Sequence, residues 1–512
     1  MAQCFLCVVG GTGSRVGNAF IQTLLSGVSM PEGSQVHILS VDADLGSVDT
    51  KDLIVACDDY AKLHNVIQGN AGFANVNVTM YPWEPRVHDA STLNELVSVN
   101  NDANAGAARD LLDILYDQTQ QQIPVSDTTN GGFRANPNVG ACFLRACLLQ
   151  DGNKEGTGYN KFKAALRLAC MVPGSDVRLL MVGSLFGGTG ASSFVCIASD
   201  LIAISDGDGD GAAVATIKCG AVMMSPYFTV HDKDNKNIEI VNGFYASTKE
   251  ALTYYHNNRN TLPFNTFYLF GSPIPRPFEA MDDNQRNPAS FVEAEAAQAC
   301  VDYFVRENAA GLQGKYFYKL KMTEVNPDAA KGDQPSKIDL GLEDFGTGQR
   351  AIVPLLKMLR FSINYLLLLN PFLDVLNAAD HTPAFFEYGM SKALEENPDM
   401  RSDIWRICRR YLHWFSEMAD DDTIEQAFVY RQELKDLFLK VPVSIENADD
   451  NATYDQLCAD YRHNSFKLIH RTTGVHYINP KQLLKHLDRV KEFEPAEKPG
   501  KRLARVLFAA MQ

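Results

Sequence analysis

Two short segments carry glycine where a backbone must come close to something else. Gly10-Gly11-Thr12-Gly13-Ser14-Arg15 follows an apolar run at residues 4–9, and Gly187-Gly188-Thr189-Gly190 follows another at 177–182. Helical spacing comes next in both cases, through Val16, Phe20, Leu24 and Leu25 in the first and across residues 194–204 in the second. A glycine loop between strand and helix lets backbone N–H groups approach phosphate oxygens, and the helix N-terminus adds partial positive charge. One such loop serves equally well as a tight turn. Two of them at strand carboxyl ends of a parallel sheet face the same side, so both can touch one ligand. Neither loop ends in Gly-Lys followed by serine or threonine, so the Walker arrangement is absent and backbone and hydroxyl groups would have to hold a phosphate.

Other chemically suggestive residues are weaker. The run 35–41 stops at Asp42-Ala43-Asp44, which puts carboxylates at a strand's carboxyl end. A polar segment at 131–140 includes Asn136, Pro137 and Asn138, and its Asn-Pro step disfavours a continuous helix there. Asp206, Asp208 and Asp210 alternate as in a calcium loop, but Ile217 stands where the bidentate glutamate is required, so the segment reads as a turn. Cys4 and Cys7 lie three apart on a strand and therefore point to opposite faces; with no second pair at zinc spacing they read as core residues. The histidines form no His-Glu-x-x-His pattern, and no Gly-x-Ser-x-Gly elbow offers a serine nucleophile.

The elements that must position the loops alternate. Strands are predicted at 4–9, 35–41, 177–182, 216–224 and 266–270, with helices at 93–97, 107–116, 159–171, 194–204, 241–256 and 288–306; the last opens on Asn287-Pro288, a cap candidate followed by proline at the first helical position. Alternation of this kind predicts an α/β fold with a parallel sheet covered on both faces. Residues 316–323 suggest one more strand. Beyond it helices dominate, at 349–369, 404–418, 424–439 and 480–493, with a hairpin at 466–478. The expected division is a nucleotide-binding domain at 1–306, a connecting insertion at 307–345 and a mainly helical region at 346–512.

Composition bounds what this architecture serves. The chain has 512 residues, 46% of them hydrophobic, enough for a sizeable core. A net charge of −15 argues against non-specific binding to nucleic acid. Eleven scattered cysteines and no cleavable signal fit a reducing cytoplasm, and no run reaches the ~20 apolar residues of a bilayer span.

The order of these motifs over residues 1–306 resembles that of the tubulin/FtsZ superfamily. Phe186-Gly187-Gly188-Thr189-Gly190-Ala191-Ser192 is similar to the family's glycine-rich signature, in degenerate form. Gly10 to Ser14, Asp42 to Asp44 and Ala135 to Gly140 stand in the places of its first three loops, and Ser225-Pro226 and Gly271-Ser272-Pro273 follow the fifth and sixth strands. The resemblance implies a Rossmann-like GTPase domain that holds GTP or GDP with Mg2+ and self-assembles head to tail into a homo-oligomer or filament; the C-terminal helices, which the resemblance does not cover, are the candidate docking surface for a protein partner if the chain is a scaffold. It further implies that Phe291 stacks on the guanine and Glu295 accepts its paired N–H donors, with Asn287 nearby, in addition to Gly10, Gly11, Thr12, Gly13, Ser14, Arg15, Asp42, Asp44, Asn136, Asn138 and Gly187 to Gly190 around the nucleotide. Family members hydrolyse GTP when the next subunit supplies acidic residues. Asp339, Glu343 and Asp344 are the candidates here, although their spacing is shifted and an acidic loop before a helix also serves as a plain cap.

Two other classes share parts of this grammar. A regulatory scaffold would bind nucleotide without turnover, which the degenerate acidic segment favours. An NAD(P)-dependent oxidoreductase would use Gly11-x-Gly13 and Asp42 in the Rossmann manner, but Val16 replaces its third glycine and the second glycine loop has no role there.

Overall fold

The structure is a computed structural model. It describes residues 2–31, 33–67, 72–86, 92–99, 105–122, 137–150, 154–206, 215–231, 238–272, 275–279, 287–305, 315–318, 323–325, 343–344, 349–350, 352–369, 399–421, 429–448, 451–464, 468–469 and 482.

The first strand, β1 (Ala2–Val9), runs directly into α1 (Gly10–Leu25), then β2 (Gln35–Val41), α2 (Val48–Ile67) and β3 (Asn77–Trp83). Helices α3 (Leu93–Val99), α4 (Ala105–Leu115), α5 (Gln118–Gln121), α6 (Pro137–Gln150) and α7 (Gly158–Cys170) lead to β4 (Asp176–Ser184) and α8 (Gly188–Ile202). After β5 (Lys218–Met224) come β6 (Phe228–His231), α9 (Ile238–Asn257), β7 (Thr266–Phe270), β8 (Arg276–Glu279) and α10 (Phe291–Val305). The remaining elements are β9 (Lys315–Tyr318), β10 (Thr323–Val325), β11 (Glu343–Asp344), β12 (Gln349–Arg350), α11 (Ile352–Asn364) with a π-helical turn at Tyr365–Leu369, α12 (Met400–Ala419), α13 (Arg431–Lys440) and α14 (Ala452–Asn464).

Eight strands form one sheet in the order β10-β9-β7-β5-β4-β1-β2-β3, and every pairing is parallel except β9 with β10. The α/β expectation is met, with a helical region after it. Each parallel crossover needs a helix to return the chain, and these helices cover both faces. The strands are accordingly apolar on both sides: Cys4, Leu6 and Val8 belong to one core layer, Phe5, Cys7 and Val9 to the other. Cys4 and Cys7 thus sit on opposite faces, as their spacing requires, and burial pushes the Cys4 thiol up to about 12.

Several elements differ from the sequence expectations. β3 and α2 carried no clear signal; Pro82 sits within β3, which is the sheet's outer strand, the place where a missing N–H is tolerated. α6 starts at Pro137, so Asn138 lies in a first helical turn and not in a loop; proline opens the helix. The predicted helix at 349–369 begins only after β12. The insertion 307–345 contributes β9 and β10 to the main sheet. Apart from residue 482, the expected helix at 480–493 lies outside the described residues, as does most of the hairpin at 466–478, although Ile469 bridges to Val429.

One side of the sheet is covered by α1, α2 and α10, and the same core layer continues into α11 and α12 through Leu355, Leu359, Ile404 and Tyr411. The other is covered by α6, α7 and α8. The stretch Gly188–Ser205 is long and apolar enough, at a mean hydropathy of 1.3, to cross a membrane by length and composition; here its Phe194, Ile197 and Leu201 are buried in that second layer.

Candidate functional site

Strand register decides where the loops meet. Val9 pairs with Val41 of β2 on one side and Gly183 of β4 on the other. The residues that follow, Gly10, Asp42 and Ser184, therefore emerge at one level, where the sheet order reverses around β1. All three line one cleft of about 380 Å³.

The two glycine loops form adjoining walls of that cleft. Gly10 has φ +68°, a left-handed conformation that suits glycine, and a Cβ placed there would lie 3.4 Å from Cβ of Thr189 and 3.5 Å from N of Gly190. The loops therefore lie within a methyl group's width of each other here. Gly11 and Thr12 face the cleft from the first turn of α1, and Gly187 to Gly190 face it from the start of α8. Two helix N-termini, each with unpaired first-turn N–H groups, converge on one space. Two further glycines have packing reasons. A Cβ on Gly13 would meet the Val182 carbonyl at 2.7 Å, and one on Gly190 would meet the Ser184 carbonyl and hydroxyl at 2.8 Å. Ser184 Oγ in turn accepts from Gly187 N at 3.1 Å, which fixes the second loop.

Around the loops the predicted residues divide. Asp42 and Asp44 line the cleft. Asp42 is also an anchor: Thr50 Oγ1 donates to it at 2.9 Å, Ser47 Oγ at 3.4 Å and Asp44 N at 3.3 Å, and Thr50 shares a hydrogen bond of 3.1 Å with Ser14. Burial raises its carboxyl to about 6, against the lowering effect of those donors. Ser14 is therefore buried under the cleft and not on it. Asn287 lines the cleft; its side-chain Oδ1 is buried and accepts no hydrogen bond among the described residues.

Arg15 joins the cleft to the central helix. Its Nε donates to Glu293 Oε1 at 2.6 Å, its other nitrogens donate to the carbonyls of Asn287 and Pro288 at 2.9 and 2.7 Å, and Asp49 lies 3.5 Å away. Tyr227 Oη donates to the same Glu293 Oε1 at 2.7 Å, and Ser290 N donates to Oε2 at 2.9 Å. Burial opposes the Arg15 charge, but Glu293, Tyr227 and Asp49 hold its pKa well above the ordinary value. Burial, reinforced by Glu293, pushes the Tyr227 phenol up as well.

Not every predicted residue reaches this place. Phe291 is buried at the start of α10 and Glu295 lies one turn on; neither lines the cleft. Glu293, on the same helix, accepts from the cleft residue Arg15. Asn138 lines a separate cavity of about 590 Å³ between α6, α8 and α9, together with Ser192 and Tyr254. Asn136 and Asp339 lie outside the described residues. Glu343 and Asp344 make the two-residue strand β11, paired with Gln349–Arg350.

Four phenylalanines line the cleft that sequence reasoning did not single out: Phe186, Phe228, Phe244 and Phe278. They come from the second glycine loop, β6, α9 and β8, too far apart in the chain for any local pattern. Their one sequence trace is that Phe186 and Phe228 adjoin motifs already noted for other reasons.

No family model matches this chain, and no curated protein is significantly similar to it.

The cleft offers backbone N–H groups and helix N-termini on one side, Arg15 beside them, and the carboxylates of Asp44 and Asp49 at the rim. Among the described residues no group of three or more His, Cys, Asp or Glu side chains is placed to hold a metal on its own. A divalent ion there would therefore need ligands from the bound anion, with Asp44 or Asp49 as supplementary oxygen donors.

Proposed function

We propose that this protein is a tubulin/FtsZ-like nucleotide-binding protein that holds the phosphates of GTP between the N-termini of α1 and α8, with Mg2+ completing the charge balance. The observation that carries this reading is the close approach of Gly10 to Thr189 and Gly190, with no more than a methyl group's space between them, above the carboxyl ends of adjacent strands. Two helix N-termini aimed at one cleft favour a polyanion over a monoanion. Mg2+ would be held chiefly by phosphate oxygens, and it would supply neutralisation of their charge. Thr12 and Thr189 offer hydroxyls beside the backbone donors. Head-to-tail self-assembly and GTP hydrolysis at the subunit contact belong to this reading by resemblance, and a scaffold that binds GTP without turnover shares its binding half.

One observation favours a second reading. The strand order β3-β2-β1-β4-β5-β7 is also that of dinucleotide-binding sheets, whose cofactor lies across the same switch point. Against it, Val16 replaces the third glycine of that fingerprint, and a dinucleotide site has no need of the second glycine loop.

Titrating the purified protein with GTP, ATP and NAD in the presence of magnesium, while following light scattering and phosphate release, separates these readings. Saturable GTP binding is expected. Scattering and phosphate release together identify a polymerising GTPase, and their absence with intact GTP binding identifies the scaffold. NAD binding without GTP binding overturns the proposal.

A further inference from the structure

Resting on the phosphate reading of the cleft, we infer that the nucleotide's purine base stacks on a wall of phenylalanines supplied by β6, β8 and α9, and not on Phe291 of the central helix. The cleft has two chemically distinct sides. One is glycine and helix N-terminus; the other is Phe186, Phe228, Phe244 and Phe278. Phe228 and Phe278 stack with centroids 4.9 Å apart and planes 17° from parallel. Phe186 meets Phe228 edge-on at 5.7 Å and Phe244 at 4.8 Å. The Arg15 guanidinium sits 5.2 Å over the Phe278 ring, which ties this wall to the phosphate side.

Phe228 and Phe244 are only half-buried, so apolar ring surface borders an otherwise polar cleft. A flat ring system covering that surface removes it from water and gains the attraction between π-faces. Asn287 adds a polar contact at the cleft: its amide can offer both an acceptor and donors to a base edge, and its oxygen is buried without a partner among the described residues. Phe291, by contrast, is packed among core residues.

Calorimetric titration of the full chain with GTP and with inorganic tripolyphosphate, each with magnesium, tests this. Phe244→Leu is expected to weaken GTP between about 5-fold and about 100-fold, the loss that removal of one base–aromatic stack produces, while tripolyphosphate binds within about twofold of wild type. Phe244→Tyr is expected to restore GTP affinity, and Phe244→Trp to report GTP by a fluorescence change that tripolyphosphate does not cause. GTP affinity unchanged in Phe244→Leu with no Phe244→Trp response, or equal losses for both ligands in a folded variant, overturns the inference and leaves the phosphate site standing. Wild-type protein that binds neither ligand overturns the phosphate reading and the inference together.

Discussion

At the scale of single residues the cleft separates glycines that must stay glycine from one that need not. Gly10 holds a positive φ, so any other residue there is strained by about 1–2 kcal/mol before it touches anything. Gly13 and Gly190 are closed off by backbone carbonyls under 3 Å from a would-be Cβ. Substitution at Gly190 therefore disturbs both the fold and the site. Gly11 behaves differently, because the nearest atom to its Cβ is Asp49 Oδ2 at an ordinary 3.5 Å. Gly11→Ala is expected to leave unfolding free energy within about 0.5 kcal/mol of wild type. Its methyl group would nonetheless narrow the phosphate side, so GTP affinity should fall at least about tenfold while Gly13→Ala lowers stability; denaturant melts alongside nucleotide titration read both. Equal stability losses in the two variants would contradict this assignment.

Asp42 carries a second residue-scale consequence. Its carboxyl is raised to about 6 mainly by burial, so the folded protein binds this proton more tightly than the unfolded chain, whose value is near 3.8. The folded state is thus favoured at pH below that unfolded value, and this contribution is lost as pH climbs from about 4 to about 6. Above that range a buried charge costs on the order of 2–3 kcal/mol. Asp42→Asn should accordingly stabilise the protein more at pH 7 than at pH 4.5. Parallel urea melts at the two pH values check it, and a variant effect independent of pH would show that Thr50, Ser47 and the Asp44 amide fully compensate the charge.

Among elements, the joint between α1 and α10 is where buried charge concentrates. Arg15 and Glu293 are 8% and 2% exposed, and Tyr227 closes the pair from β5's following loop. Removing one partner strands the other without water, which costs about 3–5 kcal/mol, while removing one neutral donor costs about 1 kcal/mol. Glu293→Ala is expected to be several-fold more damaging to stability than Tyr227→Phe, measured by chemical denaturation. Nearly equal effects would mean that the carbonyls of Asn287 and Pro288, which already accept from Arg15, suffice with Asp49 to hold its charge. The far end of this joint is held from α12's side, since Asp421 accepts from Ser290 Oγ at 2.8 Å and from Phe291 N at 3.2 Å.

These elements also show what a sequence exposes and what it hides. β1-α1 and β4-α8 were legible because a glycine loop between two distinct periodicities is a local signal, and β2 and β7 were placed to the residue. β3 was hidden by its proline and its polar, outer-strand pattern, and α2 by an abundance of charge that includes Asp52 and Asp59, which are not surface decoration but partners of α12. Within the site, Asp42 and Asn287 were legible as polar residues flanking motifs. The phenylalanine wall was not, because its members come from four elements and only the tertiary fold brings them together. Glu293 was hidden for a related reason: a helical period says which residues share a face, not which face meets Arg15.

Across the whole molecule, a boundary near residue 345 marks a change of composition but not a gap in the core. The layer that begins at Leu6 and Val8 of β1 passes through Ala296 and Cys300 of α10 into Leu355 of α11 and Tyr411 of α12 without interruption. Ion pairs follow the same route: Arg410 reaches Asp52 at 2.5 Å and Arg406 reaches Asp59 at 2.8 Å, joining α12 to α2. A helical region bound by a shared core of this extent should not unfold independently of the sheet. The tryptophans make this measurable, because Trp83 reports from β3 while Trp405 and Trp414 report from α12. A variant retaining only Trp83 and a variant lacking only Trp83 are expected to differ between themselves in midpoint through the substitutions, yet each should show a fluorescence transition that coincides with its own loss of helical circular dichroism. Saturating GTP at about 100 times its dissociation constant should then raise both reporters' unfolding free energy by about 2.7 kcal/mol, since ligand binding at α1 and α8 stabilises every part of a single cooperative unit equally. A shift confined to Trp83, with α12 melting at its unliganded midpoint, would show instead that the shared core is a contact between two separately folding bodies.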